Sequence, residues 1–138
     1  MKHERIAGFG VAMLGVMLMS LAIPGWAHHS TSMFEPNKTI AIEGTITEVA
    51  WGNPHSVFFM DAKPIGQADA PVKNWTVEAP NPRQMMSMGW QQDTLKAGDK
   101  VKVTGFQRRD GKAQMLFIEL TDDKGHRFAT KRGDYAGE

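Results

Sequence analysis

Thr39-Ile40-Ala41-Ile42-Glu43-Gly44-Thr45-Ile46-Thr47-Glu48-Val49-Ala50-Trp51 alternates apolar with polar residues, the period-two pattern of a half-buried β-strand. Ile40, Ile42 and Ile46 share one parity, whereas Val49 and Trp51 share the other. A strand can change parity without ending only by inserting one extra residue. The pattern therefore predicts a long strand bent by a β-bulge between Gly44 and Glu48.

The pattern continues downstream. Gly52-Asn53-Pro54 marks a turn. Residues 56–61, with Val57, Phe58, Phe59 and Met60, form a second strand, and residues 62–71 a loop with two prolines. Residues 72–79 alternate around Trp75 and Val77 as a third strand. Asn81 then offers a helix cap, Pro82 suits the first helical position, and Gly89 can end a short helix with Met85 and Met88 on its inner face. Residues 100–106 carry Val101 and Val103 between lysines. Residues 109–112, Arg109-Asp110-Gly111-Lys112, read as a hairpin turn, and residues 114–120 as the last strand, with Leu116, Ile118 and Leu120 on one face.

Three strands, a helix and two strands is the element order of a five-stranded Greek-key barrel of the OB type. The expected fold is all-β with one short helix, a small OB-fold-like antiparallel barrel over residues 39–121. Another small antiparallel barrel or sandwich is the alternative. Ile40, Ile46, Val101, Val103, Leu116 and Ile118 are the expected core. Residues 28–38 read as an extended arm and residues 122–138 as a polar tail.

Upstream, Lys2 and Arg5 precede an apolar run over residues 6–23, which Pro24 and Gly25 break. Gly25 and Ala27 are small residues in signal-peptidase spacing, so residues 1–27 read as a secretory signal cleaved after Ala27. The run of 18 residues is close to the length that spans a bilayer, and an uncleaved anchor is the alternative. Cleavage leaves 111 residues with 14 basic and 14 acidic side chains and no cysteine. That composition excludes disulfides, thiolate metal sites and cysteine nucleophiles. A charge balance of zero, together with export, argues against a nucleic-acid partner. The expected location is the periplasm or the medium, with no membrane insertion after cleavage.

Several segments together carry a family resemblance. They are Ala27-His28-His29-Ser30, Met33-Phe34-Glu35, Glu43-Gly44-Thr45, Trp51-Gly52-Asn53-Pro54-His55-Ser56, Gly89-Trp90 and Leu95-Lys96-Ala97-Gly98-Asp99-Lys100-Val101. Over residues 28–120 the chain resembles a bacterial family of small exported proteins known only as a domain of unknown function (family 6152). The resemblance implies export and a small β domain, and no activity.

Chemistry must then come from the residues. Cleavage after Ala27 makes His28 the first residue, whose amine and ring nitrogen close a chelate on one metal. His29 or His55 supplies a third nitrogen, the donor set of a copper "histidine brace". The competing reading is a solvated N-terminus. His126, in the polar tail, is a weaker ligand. Trp51, Asn53, His55, Arg108 and Arg109 fall in the two loops that flank the ligand face of OB barrels, and His55 beside two arginines suits an anion or a polar small molecule. The competing reading gives Asn53, Pro54 and His55 to the turn itself. Trp51 and Trp75 suit the core or the barrel mouth better than a stacking platform, and Met85 and Met88 suit packing better than Cu(I) ligation. Glu43, Glu48, Asp61 and Glu78 lie on different strands, and no nucleophile elbow or phosphate loop occurs. The sequence therefore points to a non-enzymatic binding protein, with copper as the candidate cofactor. The alternative is an accessory domain docking on another exported or membrane protein.

Overall fold

The computed structural model describes residues 31–130. A 3₁₀ turn (Thr31–Met33) leads into β1 (Phe34–Ala50), β2 (Ser56–Pro64), β3 (Lys73–Ala79), α1 (Pro82–Ser87), β4 (Lys100–Arg108), β5 (Gln114–Asp122) and β6 (Arg127–Ala129). The strands order as β3-β2-β1-β4-β5-β6, and β3 pairs again with β5. All pairings are antiparallel except β3–β5, which is parallel through Thr76↔Gln114, Val77↔Met115 and Glu78↔Leu116. That last pairing closes the sheet. The first five strands, the β1-centred order and a helix between β3 and β4 make this the OB-fold-like barrel that the element order predicts, and β6 adds a sixth strand beside β5.

The predicted bulge lies in β1, where Ile46 faces Met60 but Glu48 faces Phe59, leaving Thr47 as the extra residue. The bend lets β1 serve both halves of the barrel, pairing with β4 through its first half and with β2 through its second. The helix is capped as predicted at Asn81. Its side chain accepts from the Gln84 N–H, and the Gln84 amide oxygen accepts from the Asn81 N–H, a reciprocal capping box. Met85 is fully buried beneath it.

The core is built around an aromatic cluster. Trp90 stacks on Phe58 at 5.5 Å between ring centroids, and Phe117 meets both edge-on at 5.9 and 6.2 Å. Ile42, Ile46, Met60, Val77, Val103, Met115 and Leu120 complete it. Of the expected core residues, Ile46, Val101, Val103 and Leu116 are buried, but Ile40 and Ile118 are only half-buried. Ile118 fails for a definite reason. Between Thr104↔Glu119 and Gly105↔Phe117 the β4–β5 register slips, so Ile118 is the bulged residue and Phe117 turns inward instead. Ile40 lies at one open end of the barrel.

The expected boundaries change at both ends. Residues 34–38, expected in the arm, belong to β1, and Phe34 is buried opposite Arg108. The expected polar tail contains β6, whose Phe128 packs on Trp90 at 4.6 Å. The predicted signal, residues 1–27, and His28 and His29 lie outside the described residues. Among the described residues no helix is long and apolar enough to cross a membrane.

Candidate functional site

Two connections flank the outer wall of the barrel. The β1–β2 connection holds Trp51, half-buried against the core, exposed Asn53, and half-buried His55 after a cis Asn53–Pro54 bond. Its end is pinned by the Ser56 N–H, which donates to Pro80 O at 3.2 Å. On the outer wall Val57 lies opposite Glu78 of β3, and Glu78 lies opposite Leu116 of β5. The β3–β5 seam carries a polar relay. Arg108 Nη1 donates to Gln114 Oε1 at 2.6 Å, and Gln114 Nε2 donates to Glu78 Oε1 at 2.7 Å. Val57, the second residue of β2, and Arg108 therefore share one wall with β3 and β5 between them.

The arginine pair is engaged within the protein. Arg108 Nε also donates to both Asp110 carboxylate oxygens at 2.9 Å. Loss of water pushes the Asp110 carboxyl up, but the Lys112 N–H and the Arg108 guanidinium together hold it below its ordinary value. Arg109 Nε donates to the carbonyls of Ser32 and Phe34 at 3.1 Å, its Nη1 reaches Glu35 at 3.2 Å, and its N–H donates to Met33 O. Of the arginines expected to receive an anion, Arg109 thus ties the start of β1 to the β4–β5 hairpin, and Arg108 braces the hairpin itself. Arg109 keeps an exposed side chain, but its Nε and Nη1 already serve that clamp.

The metal residues are divided. His55 is described, and His28 and His29 are not. Among the described residues no group of three or more His, Asp or Glu side chains could hold a metal ion. His126 Nδ1 lies 2.8 Å from Asp122 Oδ2, and Asp122 Oδ1 accepts the N–H groups of Lys124 and His126, so this histidine closes the β5–β6 turn. The expected 11-residue free arm is also shorter than the sequence implied. Ser32, four residues after His28, is already held by Arg109.

The comparisons bear on this arrangement. A model described as "Family of unknown function (DUF6152)" matches residues 15–117. The chain belongs to the DUF6152 family. None of the curated proteins matches this DUF6152 chain in sequence. Among solved structures, the DUF6152 chain is similar to the mitochondrial single-stranded DNA-binding protein Rim1 of S. cerevisiae. The two are 12% identical with a TM-score of 0.47, over 64% of this chain and 96% of that one. The expectation that nucleic acid is no partner is corrected here. The similar structure is a single-stranded DNA-binding protein, and a likeness this distant assigns this DUF6152 chain no ligand.

Sequence reasoning missed one feature. Lys38, Lys73, Trp75 and Gln107 come together at the open end of the barrel, around a cleft that also touches Pro64, Gln67 and Gly111. The signal was present in parity. Lys73 and Gln107 lie two residues beyond inward-facing Trp75 and Gly105, so each points toward the mouth of the barrel.

Proposed function

We propose that this DUF6152 protein is an exported, non-enzymatic binding protein that presents a copper-binding N-terminus from a rigid barrel. The observation that carries the reading is the Arg109 clamp on Ser32, Phe34 and Glu35. A mature chain starting at His28 would place its amine and first imidazole four residues, and the His29 imidazole three residues, from Ser32. Export itself is supported by the order of charge, apolar run and Gly25-x-Ala27 in the sequence. Cu(II) would take the His28 amine and ring, with His29 or His55 as the third nitrogen.

The test begins with intact-mass analysis of protein recovered from the periplasm, where a start at His28 is expected. Cu(II) titration of that form should give one ion per chain. Because an imidazole must be deprotonated to bind, affinity should fall as pH drops below about 6.5. A chain with one extra residue before His28 lacks the chelating amine. If that chain or the His28→Ala variant binds Cu(II) as tightly as the mature form, the proposal is overturned.

A further inference from the structure

The interior alternation of a barrel ends at its mouth, and there the next inward-facing positions decide what the opening meets. At this end Ile40 and Trp75 form the floor, and Lys38, Lys73, Gln67 and Gln107 form the rim. The cleft measures about 440 Å³. That is within the range of small-molecule sites, roughly 300–1,000 Å³, and mouths of β-barrels are among the places where such sites occur.

Its chemistry is one-sided. Two ammonium groups and no carboxylate line it. By contrast, the groove beside Lys100 and Lys102 also contains Glu43, Asp122 and Asp123, so its charges are mixed. Lys38, Lys73, Gln67 and Gln107 have no side-chain hydrogen bond or ion pair among the described residues, unlike Lys63, which donates to Ala68 O.

The floor adds an independent observation. Trp75 is only 4% exposed, yet its indole Nε1–H has no hydrogen-bond partner. A buried indole N–H usually finds an acceptor, and leaving it without one costs about 1–3 kcal/mol. Trp90 carries the same defect, but it is fully buried in the aromatic core. Trp75 lines the cleft with its Nε1 buried, so an acceptor reaches that N–H only where the lining side chains yield.

We propose that the open end of the barrel is a binding site for a small anionic molecule, with a carboxylate or phosphate head on an apolar body. The head lies between Lys38 and Lys73 and accepts from the Trp75 indole. The body covers Ile40, Pro64 and the indole face. This site is independent of the copper-binding N-terminus, and either stands if the other fails.

The test follows the Trp75 indole N–H by nitrogen-15 NMR while the protein is titrated separately with benzoate, phenyl phosphate and uncharged benzamide. Benzoate or phenyl phosphate should move that resonance saturably, and whichever binds more tightly names the head group. Raising the salt concentration should weaken the binding, since the lysines are exposed. A Lys38→Gln/Lys73→Gln double variant alters only exposed side chains, so it should fold normally and bind at least about tenfold more weakly. Trp75→Phe keeps the ring, loses the donor and should also weaken binding, read from the Gln107 side-chain amide. The proposal is overturned if neither anion moves the Trp75 resonance, if benzamide moves it equally, or if the double variant binds undiminished.

Discussion

A methyl group at Gly44 would sit 2.0 Å from the carbonyl oxygen of Asp61 and 2.6 Å from the Cα of Ala62. Those are backbone atoms of the paired strand β2, and they cannot rotate away. Gly44 marks the point where β1 turns from one half of the barrel to the other, and only a residue without a side chain lets β2 approach that closely. Gly105 does the same on β4, where a Cβ would lie 2.5 Å from Leu116 O beside the bulge at Ile118. Gly52 has open space around its would-be Cβ. Gly44→Ala should therefore destabilise the barrel by about 3 kcal/mol or more, whereas Gly52→Ala should stay within about 0.5 kcal/mol. Urea unfolding of the two variants checks this, and equal midpoints would contradict the assigned crossing of β1 over β2. The glycine in Glu43-Gly44-Thr45 was visible in the sequence, but the clash that requires it was not, because Asp61 is 17 residues away.

Whole elements were legible where their cause is local. The bulged strand β1, the capped helix α1 and the hairpin at Asp110-Gly111 each follow from a few adjacent residues. β6 was not legible, since Arg127-Phe128-Ala129 has no periodicity to read and is held by distant partners. Phe128 rests on Trp90, while Arg127 pairs with Glu119 and His126 with Asp122. Both acids are tuned by these contacts. The Arg127 guanidinium holds the Glu119 carboxyl below its ordinary value against some loss of water. At Asp122 loss of water pushes the carboxyl up, but the His126 ring and the N–H groups of His126 and Lys124 outweigh it and draw it down. A carboxyl lowered in the folded state stabilises above its unfolded pKa, here 3.8 for Asp122 and 4.5 for Glu119, and loses that contribution as pH falls through and below those values. β6 should thus stay docked above about pH 5 and detach in acid before the barrel opens. Methyl and ring signals of Phe128 and Val103, followed by NMR from pH 7 to pH 3, check this. Loss of both together would refute a separately released strand. Asp122→Asn with Glu119→Gln should release Phe128 already at pH 7.

For the molecule as a whole, element order was enough to suggest the barrel, because few closed topologies accommodate three strands, a helix and two strands. It was not enough to place the mouth cleft or the clamp, which depend on register between strands far apart in sequence. Lys38 and Lys73 are 35 residues apart, and Arg109 reaches Ser32 across 77. Closure itself rests on a narrow seam, since β3 and β5 share only three register pairs. Two contacts reinforce it, the Thr76 N–H donating to Ala113 O at 3.0 Å and the Gln114 amide bridging Arg108 and Glu78. Gln114 can bridge because an amide both accepts and donates, and no apolar side chain of similar size can. Gln114→Leu keeps the volume and removes both bonds at a part-buried site. It should cost about 1–3 kcal/mol, seen as a loss in Tm of about 4–8 °C per kcal/mol for a domain of this size. The loss should be local to the seam. Amide exchange at Thr76 and Leu116 should speed up, while exchange at Ile42 and Val103, in the β1–β4 ladder, should change only by the global stability difference. If the four amides accelerate by the same factor, or if Gln114→Leu leaves Tm unchanged, the relay does not hold the barrel closed, and the β3–β5 backbone pairing alone carries that role.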